Sequence, residues 1–478
     1  MTDGPSGNED EVWRRVEARR EAFFALSDRV WATPELNYQE HRSSAEHALM
    51  LEREGFRVTA EVAGIPTAVV GEAGEGGPVI AILGEFDALP GLSQEAGVAE
   101  PRPVEPGGNG HACGHNLLGA GALLAAAAVK DWLEATGVPG RVRYYGCPAE
   151  EGGSAKGFMV RAGAFADVDA AISWHPAAFA SVTPPVSLAC TEVEFTFTGR
   201  SAHAAVAPHL GRSALDAVEL MSVGVNYMRE HMPGTARVHA AIVDTGGVAP
   251  NVVQARAVVR YLVRGKDLAE MGAVLARVRR IADGAALMTE TAVRSQVLSG
   301  DANLLGNAPL EALMAGQLAR LGPPPFDDAD RRFAAHIQAT LSPGDVAAAF
   351  ARAEVEPREG LALCDRIATP AGDPMIAGST DVGTVSWVVP TVQMRGATHA
   401  IGTPGHSWQV VAQGKAPAAH KGMEHAAKAM AGVAAELFRD PALVGRAKAD
   451  LGARLADKPF VNPIPDDVEP PLAMAAQR

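Results

Sequence analysis

The sequence predicts an α/β fold built on a mostly parallel sheet, interrupted by a smaller α+β unit. Three observations predict it. Short apolar runs alternate with helical runs through the first 187 residues, the rhythm of parallel strands joined by helical crossovers. The run Val79–Leu83 is apolar throughout, as a central strand covered on both faces should be. Near Ser187 the pattern changes to alternation, with Val193, Phe195 and Phe197 set against Glu192, Glu194 and Thr196, and a β-α-β-β-α-β order follows.

Taken in order, residues 11–31 place Val12, Val16, Phe23, Phe24, Leu26 and Val30 at apolar positions of an amphipathic helix, which Thr33-Pro34 ends. A second helix covers about 42–54. Strands follow at 56–62, 67–70 and 79–83, with Asp87 just past the last. Residues 93–110 are rich in Pro, Gly and Glu and read as a loop over the site. The Ala-rich run from Leu117 to Val129 predicts a buried helix. A strand at 141–147, a helix near 155–164 and a strand at 170–173 complete the alternation, and Trp174-His175-Pro176 closes that strand.

The second unit reads as a strand at 191–199, a helix at 212–230, strands at 237–245 and 255–265, a helix at 268–288 and a strand at 290–298. From about Ala308 the chain returns to the first unit. Polar helical decoration is expected in 323–330 and 341–358, and a short helix begins at Ser379, Thr380 or Asp381. A strand at 391–398, a long helix at 416–438 and an extended Pro-rich tail past Lys458 finish the chain. The expected organisation is 1–187 and 306–478 as one unit, with 188–305 inserted.

The stretch around which the chain is organised is Asn109-Gly110-His111-Ala112-Cys113-Gly114-His115-Asn116. Imidazole and thiolate suit borderline-soft divalent metals. A glycine turn at a helix start lets the backbone curve tightly enough to aim two such side chains at one point. Downstream, Cys147-Pro148-Ala149-Glu150-Glu151-Gly152-Gly153 sets two adjacent carboxylates at a strand end, where open α/β sheets place their sites. Adjacent side chains point in different directions, so one can bind metal while the other takes a proton from water. A solvated acidic loop and a hydrogen-bonded His/Cys turn are the bland alternatives.

Composition bounds the function. The 478 residues favour two domains, and 47% hydrophobic content supplies a large core. A net charge of −14 argues against a nucleic-acid partner. Four scattered cysteines, Cys113, Cys147, Cys190 and Cys364, are too few for a disulfide framework and point to a reducing cytoplasm. The N-terminal residues lack the pattern of a signal peptide, and the longest apolar run is too short for a bilayer, so no membrane partner is expected.

Cys113-Gly114-His115 followed by Pro148-Ala149-Glu150-Glu151-Gly152 resembles the core of the M20 metallopeptidase family, in its amidohydrolase branch, aminobenzoyl-glutamate type. The resemblance extends through Trp31–Leu36, Gly84–Pro90, Gly199–Ala204, Ala249–Val253 and Gly402–Ser407. It implies a metal-dependent catalytic domain with an inserted ferredoxin-like lid domain that forms a homodimer. It also implies two divalent ions, Zn or Mn with Co or Ni as options, held by Cys113 as bridge with His115, Glu151, His175 and His406. Glu150 is then the general base acting on a metal-bridged water, and Asp87 orients a metal-binding imidazole. His203 matches a residue that reaches the partner's site, and Asn251 a second such contact.

The implied activity is cleavage of an N-acyl amino acid, with an aroyl-glutamate such as p-aminobenzoyl-glutamate as first choice and a dipeptide as second. A related second subunit is a further option. Arg200, Arg212, Arg264 and Arg395 are candidates to hold a substrate carboxylate. Two departures from the branch are Asn116 and Glu85, where Asp is usual. Two other classes stay in view: Cys113 as a nucleophile served by His111 or His115, and a metal-free binding relative.

Overall fold

The structure, a computed structural model, describes residues 9–373, 375 and 377–477. Its larger sheet is built from β1 (Arg57–Ala60), β2 (Val69–Glu75), β3 (Val79–Glu85), β4 (Gly140–Cys147), β5 (Ala170–Ala177) and β6 (Ala180–Val182), with two later strands. The smaller sheet uses β7 (Ala189–Thr198), β8 (Arg237–Asp244), β9 (Arg256–Gly265) and β10 (Ala292–Asp301). β11 (Ile367–Ala368) and β12 (Thr391–Ala397) then rejoin the first sheet, whose order is β1-β2-β4-β3-β5-β12-β6-β11. At its centre β4, β3, β5 and β12 run parallel. β1 and β2 add antiparallel pairs on one side, and β6 pairs antiparallel with β12 on the other.

β3 is buried along its whole length, as its unbroken apolar run requires. The helix His115–Thr136 lies against β3, β4 and β5 and is itself covered by the helices Glu9–Trp31 and Pro417–Arg439. That sandwiching explains its alanines. Ala120, Ala122 and Ala125 to Ala128 are fully buried, and a side chain on Gly121 would meet Met423 and Trp174 at under 3 Å. The larger side chains in this layer, Leu123, Leu124 and Trp132, are also fully buried. Each aliphatic one stabilises the fold by about 1.5–3 kcal/mol. The motif that opens this helix is therefore anchored to the buried core of the larger unit.

The smaller sheet has the order β10-β7-β9-β8, antiparallel throughout. Helices Ala214–Met228 and Leu268–Thr289 pack on it, giving the β-α-β-β-α-β arrangement with the split βαβ order. Edge strand β8 leaves Ala240 to Val243 exposed.

One expectation needs correction. β5 continues to Ala177, so His175 lies inside the strand rather than past its end. The short strands β6 and β11 carry too little periodic pattern to be seen in sequence, and the helix Pro441–Leu455 adds one buried face, Val444, Ala447 and Leu451. The Pro-rich tail packs on the rest of the protein: Ile464 and Met474 are buried, Arg161 donates to Pro465 O, and Asn462 donates to Gly157 O. No helix among the described residues is long and apolar enough to cross a membrane.

Candidate metal centre

Cys113 and His115 flank Gly114, which caps the helix start with a φ of 79°. A Cβ there would press on Pro176 at 3.0 Å, so glycine serves both the left-handed turn and the close approach to β5. Glu150 follows Ala149, a non-glycine residue at φ 54°. The Ala149 N–H donates to the buried Glu40 at 2.9 Å, which holds the left-handed kink. His406, at φ 56°, donates its backbone N–H to Ala112 O at 3.0 Å, stitching a distant loop onto the Cys113 turn. Strained backbone of this kind persists only where surrounding contacts over-determine it.

These elements bring the expected ligand residues together. Donor atoms of Cys113, His115 and His175 lie within 4.8 Å of one another, as do those of Cys113, Glu151 and His406. Cys113 belongs to both groups. Its Sγ is 3.3 Å from His175 Nε2, and Glu151 Oε1 is 3.3 Å from His406 Nε2. A third group, Glu85, His115 and Glu150, adjoins them.

Hydrogen bonds orient the rings. His175 Nδ1 donates to Pro176 O at 2.8 Å, leaving the Nε2 lone pair toward Cys113. His115 Nδ1 donates to Asp87 Oδ1 at 2.9 Å, and the other Asp87 oxygen accepts from Glu151 N at 2.8 Å. His115 Nε2 then faces Glu85 at 3.4 Å and Glu150 at 3.9 Å.

His115 Nε2 is buried without a hydrogen-bond partner, and Glu151 Oε1 has only the His406 ring beside it. A cation supplies what such converging acceptors lack, and a set of one thiol, three imidazoles and a carboxylate suits a borderline-soft divalent metal. The residues present fit the group. Charge tells the same story. Burial pulls the His115 imidazolium down, yet Cys113 and Asp87 outweigh it and hold its pKa well above the ordinary value. Burial pushes Glu150 well up, with Glu85 and then Glu151 adding to it.

Lys156 was not foreseen, nor was the pairing of Asp381. The fully buried ammonium donates to Glu85 Oε1 and Asp381 Oδ1, both at 2.6 Å. The only sequence signal is one lysine inside an otherwise apolar helix start, Ala155-Lys156-Gly157-Phe158-Met159. Asn37 was missed too; it donates to Glu151 O at 2.6 Å.

Other expected residues lie elsewhere. His203 and Asn251 are exposed in the 188–305 segment, where Ala205 and Val206 donate to His203 Nδ1 and Ala204 N donates to Asn251 O. Asn116 bonds Ser27 and Gly414 O and takes no part in orienting the cluster. His111 Nε2 bonds Val30 O, and burial drops its pKa to about 4. Burial, then Glu151, push the Cys113 thiol up, the wrong direction for a free nucleophile.

Comparison with known proteins follows the same line. Residues 81–438 match the family model of peptidase family M20/M25/M40. The chain is 46% identical to one of the subunits of the p-aminobenzoyl-glutamate hydrolase of Escherichia coli (strain K12), across 95% of this chain and 97% of that protein. It is 28% identical to the Xaa-Arg dipeptidase of Mus musculus, across 94% and 93%. Among solved structures it superposes on a dinuclear metal-binding peptidase of the M20 family from Bacillus subtilis with a TM-score of 0.57 at 18% identity, covering 88% of this chain and 99% of that one.

Proposed function

The chain belongs to peptidase family M20, and we propose that it hydrolyses the amide bond of an aroyl-glutamate such as p-aminobenzoyl-glutamate. The observation that carries hydrolysis is the buried convergence of Cys113, His115, His175, Glu151 and His406 beside Glu150, a carboxyl group left over for proton transfer. The identity to the E. coli hydrolase supports the choice of substrate.

In this reading Cys113, which belongs to both donor groups, would hold two divalent ions together with His115, His175, Glu151 and His406. Such ions, Zn or Mn with Co or Ni as options, would polarise a carbonyl and acidify water. Glu150 takes the proton of the attacking water and returns it to the leaving nitrogen, which amide cleavage needs because an amine anion leaves poorly. Asp87 keeps His115 turned toward the cluster and steadies the backbone of Glu151. Lys156 offsets the charge of Glu85 and Asp381 behind the site.

The unit 188–305 is the dimerisation and lid domain of this proposal, between 1–187 and 306–478. The exposed edge of β8 supports pairing with a second copy, through which His203 and Asn251 would reach the partner's site and bind substrate there. A related second subunit is the other option, since the E. coli relative is itself one subunit of a larger enzyme. Four free cysteines suit the cytoplasm.

The test is metal content of the purified protein with p-aminobenzoyl-glutamate hydrolysis before and after chelation, and on Glu150→Gln. About two metals per chain, loss of turnover on chelation and a dead but metal-loaded variant are expected. Turnover that survives both changes overturns the mechanism. Cleavage of dipeptides alone would move the substrate to the dipeptidase class, as in the mouse relative.

A further inference from the structure

β12 is buried at every position except Arg395, which opens to solvent. Its register with β5 sets Arg395 opposite His175. Residues paired in register on neighbouring strands point to the same face, about 5 Å apart. The His175 ring reaches Cys113 Sγ at 3.3 Å, so Arg395 stands on the sheet face that carries this candidate ligand group.

Among the described residues the Arg395 guanidinium has neither a hydrogen bond nor an ion pair. The other arginines differ. Arg212 is bonded to Glu290, and Arg264 to Ser379. Arg200 is exposed at the end of β7, in the 188–305 segment, paired through its backbone with Arg212. Arg395 instead lies within Coulomb reach of Cys113 and of His175. It meets solvent from within a recess: the surrounding protein lowers its pKa, and Arg352, on the helix Pro343–Ala353, lowers it further. That helix packs through Phe350 and Ala353 in the same apolar cluster as Ala397 of β12 and Ala180 of β6, which brings the two guanidinium charges within reach of each other, and an anion held between them relieves their repulsion.

We propose that Arg395, with Arg352 beside it, holds the free carboxylates of the substrate's amino-acid half within a single subunit. The proposal rests on the N-acyl amino acid reading above and narrows it. A planar guanidinium takes a carboxylate through two parallel N–H···O bonds. Arg395 takes the α-carboxylate, which every N-acyl amino acid carries close to the scissile bond. Arg352 adds a second positive charge, which favours a dicarboxylic residue over a neutral one.

The experiment compares wild type with Arg395→Ala, Arg395→Lys and Arg352→Ala on p-aminobenzoyl-glutamate and on its α-carboxamide. Binding of p-aminobenzoyl-glutamate is also measured by calorimetry on the Glu150→Gln background, together with metal content. The expected result is a rise in KM and in Kd of about 30-fold or more for Arg395→Ala, with kcat and metal content little changed. That variant should also lose the preference for acid over carboxamide. Arg395→Lys should fall between, and Arg352→Ala should weaken glutamate conjugates more than alanine conjugates. Unchanged KM, Kd and acid preference in Arg395→Ala overturn the proposal. So does a fall in kcat or metal content at constant KM, which makes Arg395 an electrostatic support for the cluster. Wild type that neither binds nor cleaves aroyl-glutamates defeats the functional reading instead, and an N-acetyl amino acid series then tests the anchor by the same acid preference.

Discussion

Asp87 Oδ1 lies 2.9 Å from His115 Nδ1, deep in the protein and with both side chains fully buried. One carboxylate thereby decides which nitrogen of His115 carries the proton and which faces Cys113 and Glu150. Its second oxygen holds Glu151 N, so a single side chain sets two of the proposed ligands.

Replacing Asp87 by Ala should therefore lower metal affinity about 10–100-fold while leaving the fold intact. Competition with a chromophoric chelator measures it. Equal affinity in the variant would show that packing alone orients His115.

Lys156→Met should destabilise the protein by about 3–5 kcal/mol, because it strands Glu85 and Asp381 as buried charges. Chemical denaturation reads the change. A double substitution with Asp381→Asn should recover part of the loss.

Gly114→Ala forces a side chain into left-handed backbone, at about 1–2 kcal/mol, and against Pro176. Since Cys113 and His115 flank this turn, metal affinity should fall along with stability. A titration showing wild-type affinity would mean that the turn adapts elsewhere.

Stability should fall with acid. His47 is fully buried, donates Nδ1–H to Ser43 O at 2.9 Å and leaves Nε2 without a partner, stacked near Tyr144 and Phe86. Burial lowers its pKa from 6.5 to about 4. Between those values the unfolded chain binds the proton and the folded one does not, so stability is complete above pH 6.5 and is lost as pH falls toward 4. The loss from this one residue at pH 5 is on the order of 2 kcal/mol. Melting temperatures of wild type and His47→Gln across pH 5–7.5 should converge as pH falls.

Much of this was legible in the chain itself. Local pattern dictates the apolar strand β3, the alternation of β7 and the Ala-rich helix, because each buries a face set by its own backbone period. Gly114 and the donor types Cys113, His115, Glu150 and Glu151 are likewise written into short stretches whose spacing is chemical information. Position in the fold decided the rest. His406 and His175 become neighbours of Cys113 only when β5, β12 and the loop after β12 are assembled. Lys156 meets Glu85 and Asp381 across separations of 71 and 225 residues, which no local period encodes. Arg395 could not be told from the other arginines in sequence. Register with His175 and the lack of an acidic partner among the described residues are properties of packed strands, and they exist only once the chain has folded.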